Sequence, residues 1–212
     1  MEIRSARYLI SSPKIEGCPA PDKPEYAFIG RSNVGKSSVI NMLTNQSKLA
    51  KTSRTPGKTQ LINHFLINDN FYIVDLPGYG FAKVSQSQRA AWEIMISNYL
   101  QQRTNLVTVF VLVDSRHKPQ DLDLEFMAKL GTWGVPFNII FTKADKSTQR
   151  EVAKNVKNFI NAMREDWEFI PRSFVTSTVK FTGRKEILSY LGELNDVYHN
   201  STPIEADNTK DK

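Results

Sequence analysis

The stretch Gly30-Arg31-Ser32-Asn33-Val34-Gly35-Lys36-Ser37 decides how the rest of the chain is interpreted. It matches the pattern of a phosphate-binding loop, in which two glycines, a lysine and a serine stand at fixed spacing. Such glycines let backbone N–H groups curl around phosphate oxygens, and the positive end of the following helix points at the same oxygens. We expect Lys36 to reach the outer phosphates and Ser37 to offer its hydroxyl to Mg²⁺.

Short apolar runs and amphipathic segments alternate on both sides of this loop, which predicts an α/β fold. The pattern indicates a mostly parallel six-stranded sheet with one antiparallel edge strand, formed by a hairpin at Asn68-Asp69-Asn70, and helices on both faces. Strands are expected at 26–29, 61–67, 71–74, 106–113, 137–141 and 174–176, with a further short candidate at 7–10. Helices are expected at 34–43, at 88–101 with Ala91, Ile94, Met95 and Tyr99 on one face, at 122–133, at 147–163 with Ser147 as N-cap, and around the apolar stripe from Ile187 to Tyr198.

The composition is that of an ordinary globular chain, since 40% of the 212 residues are hydrophobic and 24% are charged. The length favours one domain at 25–199, preceded by an extension at 1–24 and followed by a disordered tail at 200–212. Cys18 is the single cysteine, which excludes an intrachain disulfide and a cysteine-based metal cluster. No apolar stretch is long enough to cross a bilayer and the N-terminus has no apolar signal region, so we expect a cytoplasmic protein that does not bind membranes.

The net charge of +6 permits a polyanionic partner, and its distribution is informative. Residues 46–68 contain no Asp or Glu but include Lys48, Lys51, Arg54 and Lys58. This stretch is either a solvated loop or a surface that meets the phosphates of a nucleotide or of a nucleic acid. Further candidates for a nucleic-acid contact are Arg103, Arg116 and Lys118.

The segment Asp75-Leu76-Pro77-Gly78 directly follows a predicted strand. An Asp at the carboxyl end of such a strand can hold Mg²⁺ through a water molecule. Gly78 is placed to offer its backbone N–H to a γ-phosphate. Alone this spacing is common in turns, but after a phosphate loop it indicates a nucleoside triphosphate.

The segment Thr142-Lys143-Ala144-Asp145 ends another predicted strand. A carboxylate only accepts hydrogen bonds, so Asp145 can bind the N1–H and the N2 amino group of guanine, whereas N1 of adenine is itself an acceptor. Lys143 is expected to lie along the base and to brace the phosphate loop. The three motifs together predict a site for GTP and GDP.

In this order the motifs resemble the GTPase superfamily of P-loop proteins. The strings Gly30–Ser38, Pro56-Gly57-Lys58-Thr59-Gln60 and Asp75-Leu76-Pro77-Gly78-Tyr79-Gly80-Phe81-Ala82 are similar to those of the EngB (YihA or YsxC) family of bacterial GTPases. The resemblance covers residues 26–198. It implies a small monomeric GTPase with a Ras-like α/β fold that acts in assembly of the large ribosomal subunit, contacts its RNA, and is linked to cell division and septation.

Carried over onto this sequence, the resemblance makes Thr59 the switch threonine that closes on Mg²⁺ and the γ-phosphate, with Thr55 as a local rival. Ser177 and Thr178 stand where the family contacts the base, although Val179-Lys180-Phe181 departs from the polar residues usual there. Lys36, Thr59 and Gly78 are the implied catalytic residues, and Ser37, Thr59 and Asp75 the implied Mg²⁺ ligands. The residues implied to contact GTP are Gly30, Arg31, Ser32, Asn33, Val34, Gly35, Lys36, Ser37, Ser38, Gly57, Lys58, Thr59, Asp75, Gly78, Thr142, Lys143, Asp145, Ser177 and Thr178.

Two positions bear on the rate of hydrolysis. Many GTPases place a Gln directly after the Asp-x-x-Gly motif to orient the attacking water, whereas Tyr79 stands there in this chain. We therefore expect slow intrinsic hydrolysis. In related GTPases an Asn at the position of Asn33 helps to hold a potassium ion beside the phosphates, so Asn33 is either a K⁺ ligand or a residue that shapes the loop.

Two other functions use the same loop. A P-loop phosphotransferase acting on a small molecule is one alternative, although it does not account for residues 142–145. A binding module whose nucleotide is purely structural is the other. A GTP-driven switch is the function that the motifs favour over both.

Overall fold

The computed structural model describes residues 1–51, 61–80 and 85–201. Seven strands, five α-helices and two short 3₁₀ helices, at Ile15–Gly17 and Ala144–Lys146, make up this part of the chain. The strands are β1 (Ala6–Ser12), β2 (Glu25–Gly30), β3 (Ile62–Ile67), β4 (Phe71–Asp75), β5 (Leu106–Asp114), β6 (Phe137–Thr142) and β7 (Ser173–Val175). The helices are α1 (Lys36–Thr44), α2 (Gln86–Gln102), α3 (Asp121–Thr132), α4 (Gln149–Met163) and α5 (Arg184–Ser201).

The strands form one sheet in the order β1-β3-β4-β2-β5-β6-β7. β2 pairs in parallel with β4 and β5, and β5 continues in parallel to β6 and β7. β3 is antiparallel to both of its neighbours, β4 and β1. The predicted α/β class is confirmed, but the predicted count of six strands is wrong. β1 is the seventh strand, and its register with β3 shifts between Tyr8 and Ile10.

The core lies on both faces of the sheet. β5 shows why, because its successive side chains point to opposite faces. Val109 and Val111 pack with α2, α3 and α4 on one face, whereas Phe110 and Leu112 pack with α1 and α5 on the other. The apolar run predicted to be buried on both faces is therefore an interior strand, β5, between β2 and β6 in a two-sided core.

Two local predictions about the helices are corrected. The N-cap of α4 is Thr148 rather than Ser147, because the Thr148 side chain accepts a hydrogen bond from the Glu151 backbone while the Glu151 side chain binds the Thr148 backbone. In α2 the side chain of Ile94 is 62% exposed. The predicted Met95 and Tyr99 do lie on the core side of the helix, Tyr99 buried and Met95 partly buried. Ile96 and Leu100 are buried there too, and Trp92 is partly buried.

The sheet places four loops at one edge, since the carboxyl ends of parallel strands meet there. The loops that follow β2, β4, β5 and β6 carry the three sequence motifs and one further cluster of charged residues. Within the described residues, no helix combines the length and apolar character needed to cross a bilayer.

Candidate nucleotide-binding site

The phosphate loop joins β2 to α1. Gly35, the N-cap of α1, has φ = 104°, in the left-handed region that favours glycine, and Asn33 has φ = 63°. No side chain caps this end of the helix. The first backbone N–H groups of α1 therefore face the loop without a side-chain acceptor, the arrangement that suits an anion. The loop from Gly30 to Gly35 thus leads directly into the uncapped end of α1.

The segment from Asp75 to Tyr79 is joined to this loop along its backbone. Tyr79 N–H donates to the Gly30 carbonyl at 3.2 Å, and Ser32 N–H donates to the Tyr79 carbonyl at 3.3 Å. A Cβ atom at Gly78 would lie 2.4 Å from the Gly30 carbonyl oxygen, so only glycine allows this approach. The motif that follows β4 is therefore in direct contact with the phosphate loop.

Lys36 and Asp75 form an ion pair at the centre of the site. Both side chains are largely buried, with 14% and 11% of their surfaces exposed. The contact brings the ammonium group predicted to bind phosphates onto the carboxylate predicted to bind Mg²⁺. Ser37 lies next to them on α1, and its hydroxyl donates to the Lys51 carbonyl at 3.3 Å.

Two residues of the segment after β6 brace the phosphate loop. The buried Thr142 hydroxyl lies 2.7 Å from the Val34 carbonyl oxygen. Lys143 donates to the Asn33 carbonyl at 2.8 Å and to the Asp114 carboxylate at 2.8 Å. Lys143 thus braces the phosphate loop as expected. Thr142 also contacts this loop, through the backbone carbonyl of Val34.

Asp145 and Ser177 come together beyond this brace. The Ser177 hydroxyl donates to Asp145 Oδ1 at 2.9 Å and accepts from the Lys180 backbone N–H at 3.1 Å, which fixes its direction. Burial raises the pKa of Asp145, but the hydrogen bonds from Ser177 and from its own backbone outweigh burial and hold the pKa below its usual value. Asp145 is therefore an ionised acceptor at neutral pH. Thr178 follows Ser177 and is half-buried.

Asp114, at the end of β5, is a member of this edge that the sequence analysis missed. Its carboxylate accepts from the Arg116 side chain at 2.9 and 2.7 Å and from Lys143. Burial raises the pKa of Asp114, but these hydrogen bonds hold it far below its usual value. Its position at the carboxyl end of a parallel strand is the signal that identified Asp75 and would have identified Asp114 too.

Arg31 points away from the centre of the loop. Its guanidinium donates to the Gln120 side chain at 3.3 Å, beside a cavity of about 210 Å³ that borders the phosphate loop and the start of α3. The residues predicted from the family's second string, Gly57, Lys58 and Thr59, lie outside the described residues, as do Arg54 and the rival Thr55.

Tyr79 is anchored in the core rather than displayed to solvent. The side chain is 5% exposed, its ring stacks on Phe126 with centroids 4.5 Å apart, and its hydroxyl donates to Asp123 at 2.8 Å. Burial raises the pKa of Asp123 to about 6, and the hydrogen bond from Tyr79 offsets only part of that effect. The phenol is thus held by its contacts with α3. This agrees with the prediction that it does not orient the attacking water as the Gln of other GTPases does.

Tyr79→Phe is expected to leave the turnover number for GTP within about tenfold of wild type, because the phenol is not a proton acceptor for the attacking water. Tyr79→Ala would instead leave a cavity beside Phe126, which costs about 3–5 kcal/mol of stability, so it does not isolate the role of the hydroxyl. Steady-state GTPase kinetics check the result, with Tyr72→Phe as the matched control, since Tyr72 also donates to a carboxylate, that of Asp22. A loss above about a hundredfold in Tyr79→Phe alone would assign the hydroxyl a catalytic role.

Comparison with known proteins identifies the family of the chain. A family model for 50S ribosome-binding GTPases matches residues 25–143, more than half of the chain. A probable GTP-binding protein EngB of Christiangramia forsetii is 53% identical over 196 residues, covering 92% of this chain and 99% of that protein. Its counterpart in Phocaeicola vulgatus is 54% identical over 195 residues, covering 92% and 98%.

Solved structures show the same fold. The crystal structure of a probable GTP-binding protein EngB matches with a TM-score of 0.63 and 25% identity, covering 82% of this chain and 99% of that one. The structure of Era in complex with MgGDPNP and nucleotides 1506–1542 of 16S ribosomal RNA matches with a TM-score of 0.62 and 20% identity, covering 81% and 56%.

The fold and the family match define the class: the protein is a P-loop GTPase. It binds guanine nucleotides and hydrolyses GTP. Within this class, the chain belongs to the EngB family of GTP-binding proteins.

Proposed function

We propose that this GTPase is a nucleotide-dependent switch in assembly of the large ribosomal subunit. The observation that supports the partner is the match of residues 25–143 to a family described as 50S ribosome-binding GTPases. The proposal includes a monomer acting in the cytoplasm, with residues 25–199 as the GTPase domain and a link to cell division and septation through the family. Family membership favours GTP hydrolysis over the phosphotransferase alternative.

The proposed nucleotide contacts are distributed over the loops at one edge of the sheet. The phosphate loop from Gly30 to Ser38 surrounds the phosphates, and Lys36 neutralises them. Asp145 and Ser177 recognise guanine, with Thr178 beside them, while Thr142 and Lys143 hold the loop in position. Gly57, Lys58 and Thr59 remain predicted contacts from the family resemblance.

The described residues fit a magnesium ion. Mg²⁺ prefers oxygen ligands and is usually held by one or two protein groups together with substrate phosphates and water. Ser37 supplies a hydroxyl and Asp75 a carboxylate that already pairs with a cation, the ammonium of Lys36. Bound there, Mg²⁺ would neutralise charge that develops on the phosphates. Thr59 is the proposed third ligand.

The proposed role of Gly78 follows from its contact with Gly30. Its backbone N–H would bind the γ-phosphate while Tyr79 keeps the segment attached to α3. Since Tyr79 stands where many GTPases have the Gln, intrinsic hydrolysis would be slow and a partner would accelerate it.

Lys36→Ala and Ser37→Ala are expected to abolish most of the rise in melting temperature that GTP and Mg²⁺ produce, because a ligand stabilises only the state that binds it. Differential scanning fluorimetry with and without nucleotide measures this rise. Lys36→Ala also removes the partner of Asp75, so its unliganded melting temperature should fall, whereas Ser37→Ala should melt near wild type. A full nucleotide-induced rise in both variants would contradict the phosphate-loop assignment.

Potassium provides a test of Asn33. If its side chain helps to place the ion beside the phosphates, replacing K⁺ by Na⁺ slows GTP turnover in wild type, and Asn33→Ala removes that difference. The expected result is a salt-specific rate measured at constant ionic strength. Equal rates of wild type in the two salts would make Asn33 a residue that only shapes the loop.

The basic stretch supplies part of the proposed contact with ribosomal RNA. Lys48 and Lys51 line a groove of about 820 Å³ between the loop after α1 and strands β1 and β3. Arg103 is not available for this role, because its guanidinium is buried against Glu25. Arg116 is paired with Asp114, whereas Lys118 is exposed.

Co-sedimentation with purified ribosomal subunits in GTP, in GDP and without nucleotide tests the function. A switch binds the large subunit preferentially in one nucleotide state, and the subunit raises the rate of GTP hydrolysis. Large-subunit binding of equal strength in all three conditions would favour a binding module whose nucleotide is purely structural. No binding to the large subunit in any condition would refute the proposal. Lys48→Glu/Lys51→Glu/Arg54→Glu should weaken large-subunit binding and leave GTP affinity within a few fold.

A further inference from the structure

Helix α4 carries a basic stripe that the nucleotide site does not use. Arg150, Lys154 and Lys157 follow one another at spacings of four and three residues, so they lie on one face of the helix. The core-facing residues Val152 and Phe159 lie on the opposite face. All three basic side chains are exposed. We call this set the α4 stripe.

The α4 stripe has no acidic partner in the part of the chain that the structure describes. None of its three side chains takes part in an ion pair within 4.0 Å there. The one acidic residue on α4, Glu151, is engaged in the capping box with Thr148. The stripe is therefore an uncompensated positive surface.

These charges are unfavourable for the helix itself. Arg150 stands in the first turn, where the helix dipole favours acidic side chains and opposes basic ones. The stripe also contains two pairs of like-charged neighbours, Arg150 with Lys154 and Lys154 with Lys157. Each such pair destabilises an isolated helix by a few tenths of a kcal/mol. A merely solvated face gains by alternating the sign of its charges, so this arrangement indicates a ligand.

We propose that the α4 stripe is a docking surface for the phosphate backbone of RNA, an inference that rests on the proposed ribosomal function. From Arg150 to Lys157 the helix rises about 10 Å, enough to contact successive phosphates of one strand. Asn161, one turn further on the same face, can donate to phosphate or to sugar oxygens. Arg164, which is also exposed, follows and donates to the Asn161 side chain at 3.3 Å, and the exposed acids Glu165 and Asp166 come next.

The composition of the outer face favours RNA over a lipid surface. A helix that binds a membrane inserts an apolar face between the lipids. The apolar face of α4 is instead packed into the core through Val152, Phe159 and Met163. The exposed residues of α4 other than Ala153 carry charges or amides, which suits a hydrated polyanion.

The α4 stripe is firmly attached to the nucleotide site but does not enter it. Asn155 donates from α4 to the Ser115 carbonyl at 2.9 Å, directly after Asp114. The helix begins three residues after Lys146, which pairs with Asp145. RNA bound on α4 would therefore lie beside the guanine side of the site, while changes to the stripe leave every nucleotide contact in place.

The test compares two variants of the full chain with the same change in charge. In Arg150→Glu/Lys154→Glu/Lys157→Glu the charge of the stripe is reversed. In the control Lys14→Glu/Arg89→Glu/Lys185→Glu the charge is reversed at three exposed basic residues in separate parts of the chain. The stripe variant should melt near the wild-type temperature, because Glu in the first turn suits the helix dipole while repulsion between like charges along the helix remains. GTP affinity should remain within a few fold of wild type.

Binding is measured by filter binding and sedimentation, with purified large subunits and with protein-free large-subunit ribosomal RNA as probes. We expect the stripe variant to bind both at least about tenfold more weakly than the control, and the slope of log K against log salt to be smaller by about two, since each phosphate contact contributes about 0.7–0.9. Wild-type affinity and slope in the stripe variant, with large-subunit binding intact, would overturn the inference and leave the proposed function standing.

Three further outcomes separate the alternatives. Loss of binding to subunits but not to free RNA would point to an acidic protein partner and overturn the RNA assignment. An equal loss in the control variant would show that net charge alone is responsible, which also overturns it. If wild type binds neither probe in any nucleotide state, the proposed function itself fails.

Discussion

Asp145→Asn is expected to lower the affinity for GTP by about 2–4 kcal/mol, because the amide presents an amino group to the donors of guanine and leaves buried polar groups mispaired. Xanthine carries an acceptor where guanine has its amino group, so xanthosine triphosphate should bind the variant better than GTP does. A titration of wild type and variant with fluorescent analogues of GTP and xanthosine triphosphate measures the two affinities and shows whether their order is reversed.

The structure supplies the control for this prediction. Asp145 is fixed by the hydrogen bond from Ser177, whereas Asp166 is an exposed carboxylate outside the site. Asp166→Asn should leave both affinities at wild-type values. Unchanged GTP binding by Asp145→Asn would refute the assignment of this carboxylate to guanine.

Glu25→Gln is expected to lower the free energy of unfolding by about 3–5 kcal/mol, because removing one partner of a buried ion pair leaves the other charge uncompensated. Glu25 is fully buried and accepts from Arg103 at 2.5 and 3.0 Å, from the Tyr99 hydroxyl at 2.6 Å and from His64 at 3.2 Å. For a chain of this size the melting temperature should fall by about 2–4 °C for each kcal/mol. Urea denaturation checks the loss, with the exposed Glu165→Gln as control.

The same residue gives a pH dependence with a definite sign. Burial raises the pKa of Glu25, but hydrogen bonds from His64 and Arg103 outweigh it and bring the pKa to about 2, below the ordinary value of 4.5. The folded protein thus keeps this carboxylate ionised where the unfolded chain binds a proton. Its contribution to stability is complete above about pH 4.5 and is lost as the pH falls toward 2. Glu25→Gln should make stability less dependent on pH in that window, and an unaltered profile would contradict this account.

The sequence predicted most of the edge of the sheet that carries the site, because each motif follows a recognisable apolar run and parallel strands end together. It did not predict the pairing of β1, since most of that strand is exposed and its position depends on backbone hydrogen bonds with β3. On α2 the prediction holds for Met95 and Tyr99 but fails for Ala91 and Ile94, which continue an apolar pattern that the tertiary packing leaves exposed.

Side-chain contacts between residues far apart in the sequence could not be predicted from local sequence patterns either. The sequence offered Arg103 as a surface cation, yet it neutralises Glu25, 78 positions away. Tyr79 was recognised as a replacement for Gln, but its attachment to Asp123 and Phe126 depends on how α3 packs on the sheet. Such pairs are fixed by topology, which a single sequence does not display.

The hydrogen bonds from Thr142 and Lys143 to the backbone of residues 33 and 34 have a thermodynamic consequence for ligand recognition. They connect the segment that binds the base to the loop that binds the phosphates. The protein therefore loses the conformational freedom of these two segments when it folds, and not when the nucleotide binds. Guanosine and pyrophosphate, added as separate molecules, should therefore bind far more weakly than the intact nucleotide. This is a chelate effect, because the base-binding and phosphate-binding segments are held at the correct distance before the nucleotide binds.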